Sequence, residues 1–166
     1  MLYDASRAGN FAPEWFDPVY WAGQGAIEGE ARGRGTTVFV RAGSLRLALR
    51  HYRRGGLLGK LVRDTYLWRG ERHTRPFAEW LLMLRLHRGG LPVPAPIAAR
   101  YRLSGFTYTG DLITERIESS RSLAQRLVDS GLPLEDWIAV GRCIRRFHDF
   151  GLCHADLNAH NVMFDG

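Results

Sequence analysis

His154-Ala155-Asp156-Leu157-Asn158-Ala159-His160-Asn161 lies close to the end of a chain of 166 residues. Before it, Trp137, Val140, Ile144 and Phe147 recur in register up to Gly151, and after it come Val162-Met163-Phe164. The first pattern is that of an amphipathic helix with a glycine stop, and the second is the opening of a strand. The stretch is therefore expected to be a tight loop between helix and strand. It carries a carboxylate, Asp156, and a carboxamide, Asn161, five residues apart, with His154 two residues ahead of the first. Asx residues also close ordinary turns and caps, so the pair gains meaning only from its surroundings.

Further from the loop, a short helix is expected around Leu123 to Val128, ending at Gly131. Phe106-Thr107-Tyr108 and Leu112-Ile113-Thr114 read as strands either side of Gly110, and Pro92, Pro94 and Pro96 impose an extended segment. Thr74 is expected to N-cap a helix with Pro76 just inside it. Phe77, Leu81 and Leu84 share one face of that helix until Gly89-Gly90 stops it. Tyr52 to Arg72 is glycine-punctuated and basic, a loop with a short helix around Leu57 to Leu61. Val38-Phe39-Val40 and Leu45 to Arg50 read as antiparallel strands divided at Ala42-Gly43, with Gly33-Arg34-Gly35 leading into the first. The first thirty residues are aromatic-rich (Phe11, Trp15, Phe16, Tyr20, Trp21) without a clear period, a leader packed on the body. Strands first and helices afterwards imply an α+β chain. The expected divisions are a leader at 1–30, an antiparallel sheet lobe with one helix at 31–118, and the opening of a helical lobe at 119–166.

The hydrophobic share of 45% and charged share of 24% are those of an ordinary soluble globular protein. No apolar run reaches the roughly 18 residues that span a bilayer, and the N-terminus lacks a signal-peptide core, which predicts a cytosolic chain. Cys143 and Cys153 match no metal or redox spacing and are expected to be reduced and mostly buried. His148, His154 and His160 are spaced by six, which fits no common zinc pattern. The net charge is +6, concentrated from Arg46 to Arg75, where Arg46, Arg50, Arg53, Arg54, Lys60, Arg63, Arg69, Arg72 and Arg75 face only Asp64 and Glu71. Such a field attracts phosphates, nucleic acid or an acidic membrane, or is simply a solvated face. Charge alone does not choose between these.

Phosphoryl transfer needs one carboxylate to take or orient a hydroxyl proton and one neutral oxygen to hold Mg²⁺ near the phosphates. Asp156 and Asn161, preceded by His154, resemble the catalytic loop of protein kinases in type and spacing. Gly33 and Gly35 sit where a kinase glycine-rich loop covers the ATP phosphates. Arg50 ends Leu47-Ala48-Leu49-Arg50, as lysine ends the third kinase strand, and Glu79 lies in the next helix, as the partner of that lysine does. Each match is individually ordinary, and their order is what carries weight. For Glu79 the bland alternative is a surface residue facing Arg75 at i−4.

Arg32-Gly33-Arg34-Gly35-Thr36-Thr37, Leu49-Arg50-His51-Tyr52-Arg53-Arg54-Gly55-Gly56, Thr74-Arg75 before Glu79, Gly90-Leu91-Pro92-Val93-Pro94 and Asp156-Leu157-Asn158-Ala159-His160-Asn161 closely resemble the 3-deoxy-D-manno-octulosonic acid (Kdo) kinases. These stand with the lipopolysaccharide core heptose kinases in a protein-kinase-like superfamily. The resemblance runs from about Gly33 to the end. It implies transfer of the ATP γ-phosphate, with Mg²⁺, to the 4-hydroxyl of Kdo on a lipid A precursor. It also implies peripheral contact with an anionic membrane at the cytoplasmic side of the inner membrane. Two departures stand out. Arg50 replaces lysine and cannot lose its proton. Asp165-Gly166 follows Asn161 too soon to be the second metal aspartate and reads as a hairpin turn. The fragment is therefore expected to stop short of that aspartate and to be inactive alone. A heptose kinase and a non-catalytic kinase-like module are the alternatives. A nucleic-acid-binding module is not expected, since no such motif occurs.

Overall fold

The computed structural model describes residues 1–32, 36–53, 64–129 and 131–165, in two units, Met1–Arg116 and Ile117–Gly166. The first contains β1 (Leu2–Tyr3), α1 (Pro18–Gly23), β2 (Ile27–Arg32), β3 (Thr36–Ala42), β4 (Leu45–His51), β5 (Tyr66–Leu67), α2 (Arg75–Arg88), β6 (Pro96–Ser104) and β7 (Thr107–Glu115). The second contains β8 (Arg121–Ser122), α3 (Leu123–Asp129), α4 (Leu134–Asp149) and β9 (Met163–Phe164). The class is α+β with an antiparallel sheet, as expected.

Alternation makes the central hairpin. Val38 and Val40 of β3 pair with Leu49 and Leu47 of β4, and all four are buried. A two-residue connection, Gly43-Ser44, links Ala42 to its partner Leu45, and Gly43 supplies the positive φ of 62° that such a turn favours. The described strands of the first unit form one sheet in the order β1-β6-β7-β4-β3-β2, with β5 against the start of β7. Both faces of this sheet are covered. On one, Phe16 and Trp21 of the N-terminal segment pack with Val38, Val40, Leu47, Leu49, Ile97 and Ile113. On the other, Phe77 and Trp80 of α2 pack with Tyr52, Tyr66, Tyr108 and Leu112. Each buried aromatic contributes on the order of 2 kcal/mol from the area it removes from water.

The β6–β7 hairpin differs from expectation. Gly110 does not separate two strands, because β7 runs through it and β6 pairs along it from Pro96↔Thr114 to Ser104↔Thr107. The turn lies at Gly105-Phe106, where Gly105 has φ 56°. A Cβ on Gly110 would stand 2.8 Å from Pro76 Cγ, so this glycine admits the first turn of α2 rather than a chain reversal. The strand β6 escaped notice because Pro96 to Ala99 are buried in succession, which erases alternation.

In α2 the buried residues are Pro76, Phe77, Trp80 and Leu86, while Leu81 is 47% exposed. The two large aromatics set the buried face and rotate Leu81 out of it. Thr74 does precede the helix, but its hydroxyl donates to the Glu71 carbonyl at 2.7 Å instead of capping. The Tyr108 hydroxyl accepts from the Arg75 N–H at 2.9 Å in its stead. Of the basic loop, residues 54–63 lie outside the described residues, including the helix expected around Leu57 to Leu61; further on, Tyr66–Leu67 is a strand.

In the second unit α4 buries Val140, with Ile144 and Phe147 half-buried and Trp137 46% exposed. Cys143 is half-buried, and Cys153 is exposed in the irregular segment just before His154, which corrects the expected burial.

Candidate active site

The candidate residues form two groups, one in each unit. Gly33 and Gly35 lie outside the described residues; the strands they join pair as far as Arg32↔Thr36.

In the first unit, the period of two along β4 points Arg50 toward the face that α2 covers, opposite in sense to Leu49. Two residues on, Tyr52 faces the same way and joins the α2 core. Glu79 lies between Phe77 and Trp80, on the side of α2 that meets this face. The Arg50 Nη2 donates to Glu79 Oε1, and the pair forms a salt bridge. The Tyr52 hydroxyl donates to Glu79 Oε2 at 2.5 Å and accepts from Arg50 Nη2 at 3.2 Å. Arg50 and Glu79 side chains remain 42% and 37% exposed, so the group is open to a ligand. Burial alone would weaken the charge of Arg50, but the Glu79 carboxylate outweighs it and raises the pKa. Burial, helped by Glu79, pushes the Tyr52 phenol far up, so its hydroxyl stays protonated.

Sequence reasoning paired Arg50 with Glu79 and missed Tyr52. The available signal was the spacing Arg50-x-Tyr52, which alternation places on one face. His51 was missed too. It points to the other face, where Nδ1 lies 2.7 Å from Asp111 Oδ1 and Nε2 lies 3.4 Å from Asp64 Oδ2. Arg100 donates to the other oxygen of Asp111 at 2.9 Å. The hydrogen bond to Asp111 raises the pKa of His51. Burial works against the Asp111 charge, yet His51 and Arg100 hold that carboxyl below its usual range.

In the second unit the expected loop is held by its own side chains, with one Asx turn at Asn158. The His154 ring Nδ1 accepts the Asp156 N–H at 3.2 Å, so this residue orders the loop. Asn158 donates to the Asp156 carbonyl and to its Oδ1, at 3.1 and 3.2 Å, and accepts the His160 N–H at 3.0 Å. The Asn161 Nδ2 donates to the Asp156 carbonyl at 2.7 Å, which ties the two residues together and leaves Asn161 Oδ1 as an acceptor. Outside the loop, Leu123 and Ala124 N–H groups bond to the Val162 and Ala159 carbonyls, and β8 pairs with β9. The start of α3 thus holds the C-terminal part of the loop. Asp156 and Asn161 are exposed. Among the described residues no cluster of three or more His, Cys, Asp or Glu forms a metal cage. Asn161 offers one hard oxygen, which suits a cation that keeps waters and ligand phosphates in its shell.

A family profile described as "Lipopolysaccharide kinase (Kdo/WaaP) family" matches residues 19–166. The chain is 47% identical over 150 residues to a 3-deoxy-D-manno-octulosonic acid kinase of Photobacterium profundum, covering 90% of this chain and 64% of that protein. It is 44% identical over 168 residues to the protein of the same name from Haemophilus influenzae (strain PittEE), covering 98% and 70%. For the protein of that name from Stenotrophomonas maltophilia the identity is 46% over 166 residues, covering 100% and 66%. The chain therefore spans about two thirds of the length of these curated relatives. With the profile covering most of its residues and identities of this size to these relatives, the chain belongs to the lipopolysaccharide kinase (Kdo/WaaP) family.

Proposed function

We propose that this chain carries the nucleotide-gripping and proton-handling groups of an ATP-dependent sugar kinase with a protein-kinase-like fold. Its acceptor is the 4-hydroxyl of Kdo on an anionic Kdo–lipid A precursor. The observation that carries this reading is the 44–47% identity to proteins named Kdo kinase. Two local arrangements of the right chemistry, Arg50–Glu79 and Asp156–Asn161, support it.

The nucleotide supplies the transferable phosphoryl group, and Mg²⁺ offsets its charge. Arg50, held by Glu79, donates N–H groups to phosphate oxygens, with the backbone N–H groups of Gly33 and Gly35 as a second donor set. Asp156 accepts or orients the acceptor hydroxyl proton, His154 keeps the Asp156 backbone in place, and Asn161 Oδ1 is the protein's oxygen for the cation. We further propose peripheral binding to the anionic cytoplasmic face of the inner membrane through the basic stretch from Arg53 to Arg75. Arg53, Arg69 and Arg72 are exposed, as is Leu67. Trp68 packs on Tyr101 with ring centroids 5.0 Å apart.

The test is a phosphorylation assay with the full-length protein, ATP and Mg²⁺, offering Kdo–lipid A precursor or a heptose-bearing core acceptor. Phosphate at the Kdo 4-position is expected. Transfer only to heptose would replace the acceptor, and no transfer to either would leave a non-catalytic binding module.

A further inference from the structure

The contact between Arg50 and Glu79 runs through a single nitrogen, Nη2, and a single oxygen, Oε1. A one-point pair between two half-exposed side chains leaves both free to turn, because neither the guanidinium plane nor the carboxylate plane is fixed by it. Tyr52 removes that freedom. Its hydroxyl holds the second oxygen of Glu79 and also receives Arg50 Nη2, so the three groups close a ring of hydrogen bonds.

Tyr52 is well anchored for such a task. It is 8% exposed, its backbone N–H donates to the Gly110 carbonyl at 2.9 Å, and its ring lies under the Arg50 guanidinium, 5.0 Å from centroid to Cζ. The ring is also confined near Gly110, where a Cβ would come within 3.6 Å of it and within 2.8 Å of Pro76. The start of α2, the middle of β7 and the end of β4 thus fix one hydroxyl. Charge states agree with the geometry: Arg50 stays a cation and the Tyr52 phenol stays a donor, so the ring keeps one pattern. Among the described residues, Arg50 Nη1 and Nε have no other partner and remain to donate outward.

We propose that Tyr52 is a positioning residue for nucleotide binding: its hydroxyl locks Glu79 and Arg50 so that the Nη1 and Nε donors are held ready for phosphate oxygens. This rests on the reading of Arg50 as the phosphate-gripping residue. Tyr52 touches no reacting atom.

Tyr52→Phe in the full-length protein keeps the ring and removes the hydroxyl. The KM for ATP, and the Kd for a non-hydrolysable ATP analogue with Mg²⁺, are expected to rise about tenfold, the scale of one lost hydrogen bond to a charged group. The KM for the lipid acceptor is expected to stay within about twofold. Tyr66→Phe, which strips a hydroxyl from the same core cluster, controls for packing and should leave the ATP parameters unchanged. In a Glu79→Gln background the Tyr52 change should add almost nothing, since both act through one network. If Glu79→Gln weakens ATP binding and Tyr52→Phe does not, the positioning role is overturned while the site stands. An equal loss for Tyr66→Phe, or a fall in melting temperature with no change in ATP affinity, reduces Tyr52 to a packing residue and also overturns it. If neither Glu79→Gln nor Tyr52→Phe alters ATP binding, the reading of the Arg50 site fails first.

Discussion

Gly110 sits mid-strand with Pro76 stacked over it, and the 2.8 Å gap that a Cβ would meet lies against a rigid ring at the start of a helix. Gly110→Ala must therefore push α2 outward or bend β7, and should destabilise the fold by about 1–3 kcal/mol, the usual cost of overpacking. Urea denaturation monitored by circular dichroism would measure it, and an unchanged midpoint would mean that α2 yields freely. In the other unit, the roles proposed for Asp156 and Asn161 are separable by substitution. Asp156→Asn keeps the shape of the loop but removes the proton acceptor, so turnover should drop about a hundredfold or more with ATP binding retained. Asn161→Ala removes the tie to the Asp156 carbonyl and the oxygen proposed for the cation, so the Mg²⁺ concentration for half-maximal activity should rise. Titrations with the two variants would distinguish these effects. Near-normal turnover in the first, or an identical Mg²⁺ curve in the second, would remove the corresponding assignment.

At the scale of elements, β4 serves two faces with consecutive residues. Arg50 and Tyr52 engage α2, and His51 between them engages Asp111 of β7 and Asp64 of the basic loop. Only the imidazolium donates from both nitrogens at once, so the charged ring bridges the two carboxylates. Arg100 and Arg102 also face Asp111, at 2.9 and 3.7 Å. Because the folded pKa of His51 is raised above its usual value of 6.5, its contribution is complete below that value and fades as pH rises through the folded one. His51→Gln should therefore lower the melting temperature clearly at about pH 5.5 and far less at about pH 9. A difference independent of pH would show that the ring is held neutral. The failed N-cap makes a related point: Thr74 is the right residue in the right place, but complete burial turns its hydroxyl to Glu71, and a tyrosine from β7 satisfies the helix.

For the molecule as a whole, the concentrated basic stretch makes a long-range prediction. Each Lys or Arg near an anionic bilayer contributes on the order of 1 kcal/mol, screened over about 8 Å at physiological salt. Replacing Arg53, Arg54, Lys60 and Arg63 with Ser should raise the KM for lipid acceptor, leave that for ATP nearly unchanged, and weaken sedimentation with anionic vesicles. Added salt should mimic the change, and indifference to both would make the stretch a solvated face. Charge density of this kind is visible in the residues alone, as are the alternation of Val38, Val40, Leu47 and Leu49, the helical register of α4, and the Asp156–Asn161 spacing. All are local quantities, set by the pitch of the chain over a few residues. The α+β class could be read in this way, and the order of elements also led to the Arg50–Glu79 pair. Four features could not. The strand β6 lost its alternation because both its faces are covered. Gly110 resembled a break because its neighbour Pro76 is distant in the chain. Tyr52 meets Glu79 across 27 positions and His51 meets Asp111 across 60. Which side chains meet across such separations depends on how the sheet and helix pack, since burial and excluded volume act between surfaces and leave no periodic trace along the chain.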